Sequence, residues 1–478
     1  MPPSQSLDGA SLAAYYERPA VRARIREYCG FDLGPTPSCV FLSATLPGAQ
    51  IPIGWTPEPQ FPTSELDQLL DGGADIFRSA WDRESLLIHL DIDYLNADRP
   101  GHAFARPVEV FDKVEPTYQA LVDLLQQYGM NLLPVVTGRG YQLTGCVSLE
   151  SPLVTRLAAL APRVPDWCAT QDRRLPAWIQ ERLTPVQARA YVGAGLALEY
   201  FAHRLIQRAA SHSSLPIVLN GTNVGAGSGG REAVSIDLSF AGDPMDMRHM
   251  RVAFGGYQLH RFRPDLFGRE IAALTPLIAV PRLGGSLDDV LQRHRAPEGA
   301  GRLAESNRAT IPNVTEGVAA LLTDYEPSAL RRFHQSFYAT EPDPPAAWPR
   351  TYDRLDLTTL PPCVAAPLAM PNDLLLKPEH LQHVTRYLMS EGWAPGHVAG
   401  LVWSRYEKNF AWGRRWTYLS PRARAEFDVR VFSGMVAVGL DRGIDFNCRS
   451  AQEKRLCPMT TCDRDLRVSR QRLLARTA

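Results

Sequence analysis

Leu86-Leu87-Ile88-His89-Leu90-Asp91-Ile92-Asp93 is the stretch on which the fold turns. A short apolar run without Gly or Pro reads as a buried strand. At strand period Ile88, Leu90 and Ile92 share one face, and His89, Asp91 and Asp93 share the other. Two carboxylates two residues apart on a buried strand repel each other and resist desolvation. A divalent cation removes that cost. Hard oxygen ligands suit Mg2+ or Mn2+, with positions left open for phosphate oxygens. The competing reading is structural, because Asp-x-Asp also occurs at strand ends and in turns.

Outward from this strand the pattern is mixed α and β. Residues 116–128 read as a helix, and 132–136 and 141–147 as a strand pair. Between the strands lies Thr137-Gly138-Arg139-Gly140-Tyr141-Gln142. Glycine allows a tight turn there, whose amides together with Arg139 can face a triphosphate; an ordinary hairpin turn is the alternative. A long helix is expected over 185–210 and a strand over 233–240. Asp237 on that strand is the candidate third carboxylate, the number that two-metal phosphoryl transfer requires. Further on, Arg251 can reach phosphate and Tyr257 can stack or hydrogen-bond. The Gly-rich run 221–230 lacks Gly-Lys-Ser/Thr, which excludes a Walker-type loop and leaves a flexible hairpin loop. Upstream, a helix is expected over 11–28, a Pro/Gly-rich stretch over 34–62 and a short helix over 63–70.

At 478 residues, 45% of them apolar, the chain has material for two or three domains with ordinary cores. Its 51 basic residues balance 51 acidic ones, which excludes a global pull toward nucleic acid. Only four of the basic residues are Lys, so Arg dominates. Arg suits bidentate phosphate contacts, and a GC-rich genome accounts for the same bias. No apolar run is long enough for a bilayer, and the N-terminus lacks a basic region followed by an apolar stretch. A cytoplasmic, reducing setting is therefore expected, without membrane association. There clustered Cys more often bind metal. Cys29, Cys39, Cys146 and Cys168 are scattered and read as small buried hydrophobes.

The other four cysteines, Cys363, Cys448, Cys457 and Cys462, match the ligand count of a four-iron cluster or a structural zinc. Paired Cys-x2-Cys knuckles are absent. They bracket helical patterns over 378–391, 395–410 and 421–434. The Pro-rich run 341–345 ends a mixed segment, giving a division into 1–280, a linker with helical segments over 281–354, and 355–470. Arg386, Tyr387, Arg405, Tyr406, Lys408, Arg414, Arg415 and Trp416 concentrate basic and aromatic side chains. Arg and Lys would meet phosphates while the rings stack on unpaired bases. The alternative is a solvated helix face over a core Trp.

The order Asp-x-Asp strand, Gly-Arg loop, lone Asp, basic residue resembles the archaeo-eukaryotic primase superfamily, over about residues 10–265. Asp91 and Asp93, then Thr137 to Gln142, then Asp237, Arg251 and Ala253 to Tyr257 match the small catalytic subunit's elements in turn. Tyr15-Tyr16 and Arg26-Glu27-Tyr28 resemble that subunit's opening. Residues 355–465 resemble the C-terminal domain of the primase large subunit. There a Pro-Pro-Cys opens the domain and a helix with a His-x-x-Arg-like face follows.

The resemblance implies an α+β catalytic domain with an RRM-type sheet core, then an α-helical iron–sulfur domain. Asp91, Asp93 and Asp237 would be catalytic and hold Mg2+ or Mn2+. Thr137, Gly138, Arg139, Gly140, Gln142, Arg251 and Tyr257 would bind nucleotide. Cys363, Cys448, Cys457 and Cys462 would hold a 4Fe–4S cluster, with Zn2+ as the alternative. The activity implied is a primase or primase-polymerase using single-stranded DNA and NTPs or dNTPs, alongside replication or repair proteins. Two positions depart from the family: Gln142 and Tyr257 stand where it carries His. Gln has no charge at any pH. A degenerate nucleic-acid-binding accessory protein is therefore the competing expectation.

Overall fold

The computed structural model describes residues 9–46, 59–222, 231–238, 250–369, 373–408, 420–459 and 462–476. It is a mixed α+β structure. The strands are β1 (Leu42–Thr45), β2 (Gln60–Phe61), β3 (Asp75–Arg78), β4 (Ser85–Asn96), β5 (Leu133–Val136), β6 (Gly140–Ser148), β7 (Ile217–Leu219), β8 (Glu232–Asp237), β9 (Met250–Arg251), β10 (Gly256–Tyr257), β11 (Leu277–Ile278) and β12 (Val280–Pro281). Six of them form the main sheet in the order β12-β5-β6-β4-β8-β7, with β7 and β8 parallel and the other neighbours antiparallel. A second sheet runs β2-β1-β3-β9. The decisive strand thus lies at the centre, and it runs past Asp93 to Asn96.

Helices numbered here are α1 (Gly9–Tyr16), α2 (Pro19–Tyr28), α3 (Pro107–Gln127), α4 (Pro152–Leu160), α5 (Pro185–Ala209), α6 (Ala329–Ala339), α7 (Pro362–Ala369), α8 (Pro378–Ser390), α9 (Pro395–Glu407), α10 (Pro421–Ala437), α11 (Cys448–Glu453) and α12 (Leu466–Ala475). The expected helix over 11–28 is two, because Pro19 cannot continue the first and starts the second at its N1 position. The helix expected from 116 begins at Pro107 and carries Pro116 in its interior. The long helix α5 opens on a capping box: the Thr184 hydroxyl accepts from Gln187 N at 3.2 Å, and the Gln187 carbonyl accepts from Thr184 N at 2.9 Å. The Pro/Gly-rich stretch holds β1 and β2, pinned by β1 pairing with both β2 and β3 rather than by any pattern of their own.

One face of the main sheet is apolar. Ile88, Leu90 and Ile92 lie buried there, and Tyr141, paired with Ile92, stacks on Tyr118 of α3 with ring centroids 4.1 Å apart. The other face turns toward α2 and the second sheet: the Gln142 amide donates to the Arg251 carbonyl of β9 at 2.7 Å and to the Tyr28 hydroxyl at 3.2 Å. A single contiguous apolar cluster runs from Leu12 to Leu473, and Val290, Leu321, Tyr325 and Trp348 of the 281–354 segment are part of it. Among the described residues no helix is long and apolar enough to cross a membrane.

Candidate active site and cysteine centre

The ladder decides where the carboxylates meet. In β4 and β8, Asp91 lies directly opposite Asp237, and Asp93 lies opposite Ser235. Directly opposed residues share a sheet face, with Cβ atoms about 4.5–5.5 Å apart. The three Asp therefore stand on one face of the two central strands, where like charges destabilise unless something neutralises them. Arg139 neutralises one, its guanidinium donating to the Asp93 carboxylate at 2.6 Å. Burial works against the Arg139 charge, but Asp93, Tyr257 and Asp91 outweigh it and hold its proton above the ordinary value. Among the described residues no three His, Cys, Asp or Glu side chains are gathered to hold a metal ion.

The turn that delivers Arg139 is tight for two reasons. A Cβ on Gly140 would lie 1.9 Å from the Ile92 carbonyl oxygen, so only glycine lets the turn reach β4. A Cβ on Gly138 would lie 2.5 Å from the Tyr257 ring. The turn is closed by Thr137 N donating to Gly140 O at 2.9 Å and fixed to β4 by Tyr94 N donating to Arg139 O at 2.9 Å. Arg139 is thereby aimed across the carboxylate face.

The remaining nucleotide candidates are engaged inside the protein. Arg251 forms a buried ion pair with Asp75, donates to Gly256 O at 2.6 Å, and lies over the Phe77 and Tyr257 rings at 4.4 and 4.2 Å. Tyr257 is buried against Phe104, and burial pushes its hydroxyl proton affinity up. Gln142 is buried with both its donations spent, as above. His89 continues the polar row; its Nδ1 contacts the Thr144 hydroxyl at 3.0 Å. Burial pushes His89 down to about 3 against the opposing pull of Asp237. Asp75 and Thr144 were not singled out by the sequence, since each depends on partners from distant elements. So does Asp428 of α10. It is fully buried, held by Arg424 at 2.8 Å, and pushed up by burial, with Asp237 adding to the repulsion. A cavity of about 650 Å3 lies elsewhere, at the Ser148 end of β6, six ladder positions from Gln142.

The four cysteines lie in separate segments of the C-terminal part. Cys363 sits buried in the first turn of α7, Cys448 opens α11, and Cys457 and Cys462 follow in loops. Burial pushes the Cys363 thiol up to about 12, and Cys457, Cys448 and Cys462 all add repulsion. The Cys448 sulfur accepts from Leu466 N at 3.5 Å, and His383 Nε2 meets the Cys363 sulfur at 3.2 Å.

The basic–aromatic group does not present one surface. Arg386 is buried and clamped by Asp441 at 2.6 and 2.8 Å. Tyr406 is buried with its hydroxyl on Leu375 O at 2.7 Å, and Tyr387 is buried. Arg405 donates to Tyr352 O at 3.2 Å, while Lys408 pairs with Asp353 and is 40% exposed. Arg414, Arg415 and Trp416 lie outside the described residues.

No family model matches the chain. No curated protein matches it. Among solved structures it is similar to the polymerase domain from Mycobacterium tuberculosis ligase D in complex with DNA. The identity is 15%, covering 63% of this chain and 90% of that chain, with a TM-score of 0.35.

Proposed function

We propose that this chain is a DNA-dependent primase or primase-polymerase, performing template-directed nucleotidyl transfer on single-stranded DNA. The observation that carries this reading is the cross-strand pair Asp91–Asp237 with Asp93 one pleat along and Arg139 aimed at it. Three carboxylates on one sheet face are by ligand type a donor set for Mg2+ or Mn2+, though their side chains are not gathered round one point. Such ions supply charge neutralisation and activation of an attacking hydroxyl in phosphoryl transfer. Asp91, Asp93 and Asp237 would hold them. Arg139, exchanged from Asp93, would face the triphosphate from the turn 137–140. Neutral His89 and Gln142 would keep the floor of the site polar without adding charge.

The cysteines fit a 4Fe–4S cluster by type and number. Exposed Lys408 and its neighbours would offer the phosphate contacts of a template. A helical module tethered to the catalytic face raises the effective concentration of a second nucleotide before any duplex exists.

The test is a priming assay on single-stranded DNA with NTPs and with dNTPs. Asp91→Ala with Asp93→Ala is expected to abolish incorporation while DNA binding persists; undiminished synthesis by that variant removes the assignment. A second reading, a nucleic-acid-binding accessory protein without polymerase activity, is favoured by Arg251 and Gln142 being spent on internal partners. Absence of incorporation by wild-type protein with either metal ion would select it.

A further inference from the structure

Two of the scattered cysteines of the N-terminal part lie side by side in the fold. Cys29 caps the C-terminus of α2, and Cys39 stands just before β1. The chain between them turns back on itself: Ser38 N donates to Gly30 O at 3.1 Å, and Cys39 N donates to Cys29 O at 3.4 Å. The approach is close, since a Cβ on Gly30 would lie 1.9 Å from the Ser38 hydroxyl oxygen. Residues joined directly across such a backbone bond have Cα atoms about 5.5 Å apart, inside the span of about 4.4–6.8 Å that a disulfide bridges. Both side chains are fully buried, and the two thiols hydrogen-bond to each other.

Their surroundings are charged. The Arg78 guanidinium donates to Tyr28 O at 2.6 Å and that of Arg83 to Cys39 O at 2.6 Å. The Cys29 thiol donating to it, then Arg78 and Arg83, hold the Cys39 thiol below its ordinary value against burial and Asp82. Thiolate beside guanidinium is the nucleophilic form of cysteine. The joining loop, 31–37, is largely exposed, so its local opening admits a small oxidant without unfolding the core.

We propose that Cys29 and Cys39 are a reversible dithiol–disulfide pair, oxidised by hydrogen peroxide and reset by a dithiol reductant. The Cys39 thiolate attacks one peroxide oxygen; the O–O bond breaks, hydroxide leaves and takes up a proton, and Cys39 becomes a sulfenic acid. The Cys29 sulfur gives up its proton and attacks the Cys39 sulfur; the S–S bond forms as the S–O bond breaks, and water leaves. Two thiols and one peroxide thus yield one disulfide and two waters. The bond ties the end of α2, whose Tyr28 hydroxyl meets Gln142 and Thr144 of the central sheet, to the entry of β1. The inference is independent of the polymerase and iron–sulfur readings.

The experiment treats full-length protein with hydrogen peroxide, denatures it in N-ethylmaleimide and digests it with trypsin for mass spectrometry. No Lys or Arg lies between Arg26 and Arg78, so one peptide carries both thiols and no other cysteine. Untreated protein should give that peptide with two maleimides. Treated protein should give it with none and two hydrogens lighter, and dithiothreitol should restore both labels. Exposed Met459 reports that oxidant was sufficient, through its sulfoxide. Both maleimides retained at a dose that oxidises Met459 overturns the proposal, and so does conversion of either thiol to a sulfonic acid without a disulfide. Cys29→Ser keeps a donor to the Cys39 sulfur but cannot close the bond. Cys39 should then stop at the sulfenic acid and be trapped by dimedone; a folded variant without that adduct overturns the proposed step. Should the variant not fold, the wild-type peptide decides.

Discussion

Arg251 shows how a residue can match a pattern and still have its charge spent. In the sequence it is a basic residue downstream of a lone Asp, placed where a triphosphate would be met. In the fold its guanidinium is buried, paired with Asp75 and covered by Phe77 and Tyr257. Removing one partner of a buried ion pair leaves an uncompensated charge and costs about 3–5 kcal/mol. Arg251→Met should therefore lower unfolding stability by that order, read from urea denaturation, because the buried Asp75 carboxylate loses its guanidinium partner. A stability unchanged within error, accompanied by weaker nucleotide binding, would return Arg251 to the phosphate role. Arg139 contrasts with it. Its partner Asp93 is itself a site carboxylate, so its charge lies where a cation and a triphosphate would compete for it.

At the scale of elements, the join between α5 and the C-terminal helices is electrostatic at its centre. Glu199 of α5 is fully buried and accepts from Arg430 of α10 at 2.9 Å and faces His334 of α6 at 3.2 Å. Arg430 also donates to the Tyr338 hydroxyl at 2.9 Å. Burial opposes ionisation of Glu199, but Arg430 and His334 outweigh it and hold the carboxyl well below the ordinary range. Glu199→Ala strands a buried guanidinium, at a cost of about 3–5 kcal/mol. The expected outcome is an earlier urea transition and faster limited proteolysis within 355–470, with both measured on the full chain. The sequence reading located β4 by its apolar run, and α5, α8, α9 and α10, each of which opens on a proline. It could not locate β1, β2 or β9, whose few residues become strands only by pairing. Asp237 was legible as a lone carboxylate in a strand, but its place opposite Asp91 is a matter of register, which no local pattern encodes. The pairing of Arg386 was illegible for a related reason: its partners Asp441 and Asp445 lie 55 and 59 positions away and carry no periodic signal.

For the whole molecule, the continuous core has a consequence for acid stability. His203, His260 and His294 are buried, His260 against Phe104 of a smaller apolar cluster, and burial pushes each down to about 4 from an ordinary 6.5. Glu199 pulls His203 the other way, and backbone carbonyls do so for His260 and His294, without overcoming burial. The folded value is the lower of the two, so the sign is fixed. Above about pH 6.5 both states are neutral and the stability is fully present. As pH falls from 6.5 toward 4, the unfolded chain takes up protons that the folded chain refuses, and stability is lost across that window. Each fully enclosed histidine contributes at most about 1.4 kcal/mol per pH unit. Three of them between pH 6.5 and 5 remove on the order of several kcal/mol, a large part of the ~5–15 kcal/mol that a folded domain holds. Thermal unfolding followed by circular dichroism should thus show a midpoint that is steady from pH 8 to 7 and falls steeply by pH 5. His294→Gln should flatten that fall, because it removes one protonatable ring while keeping an N–H for the Ile278 carbonyl. A midpoint independent of pH between 7 and 5 would mean that water reaches these rings and that the core is less continuous than its packing indicates.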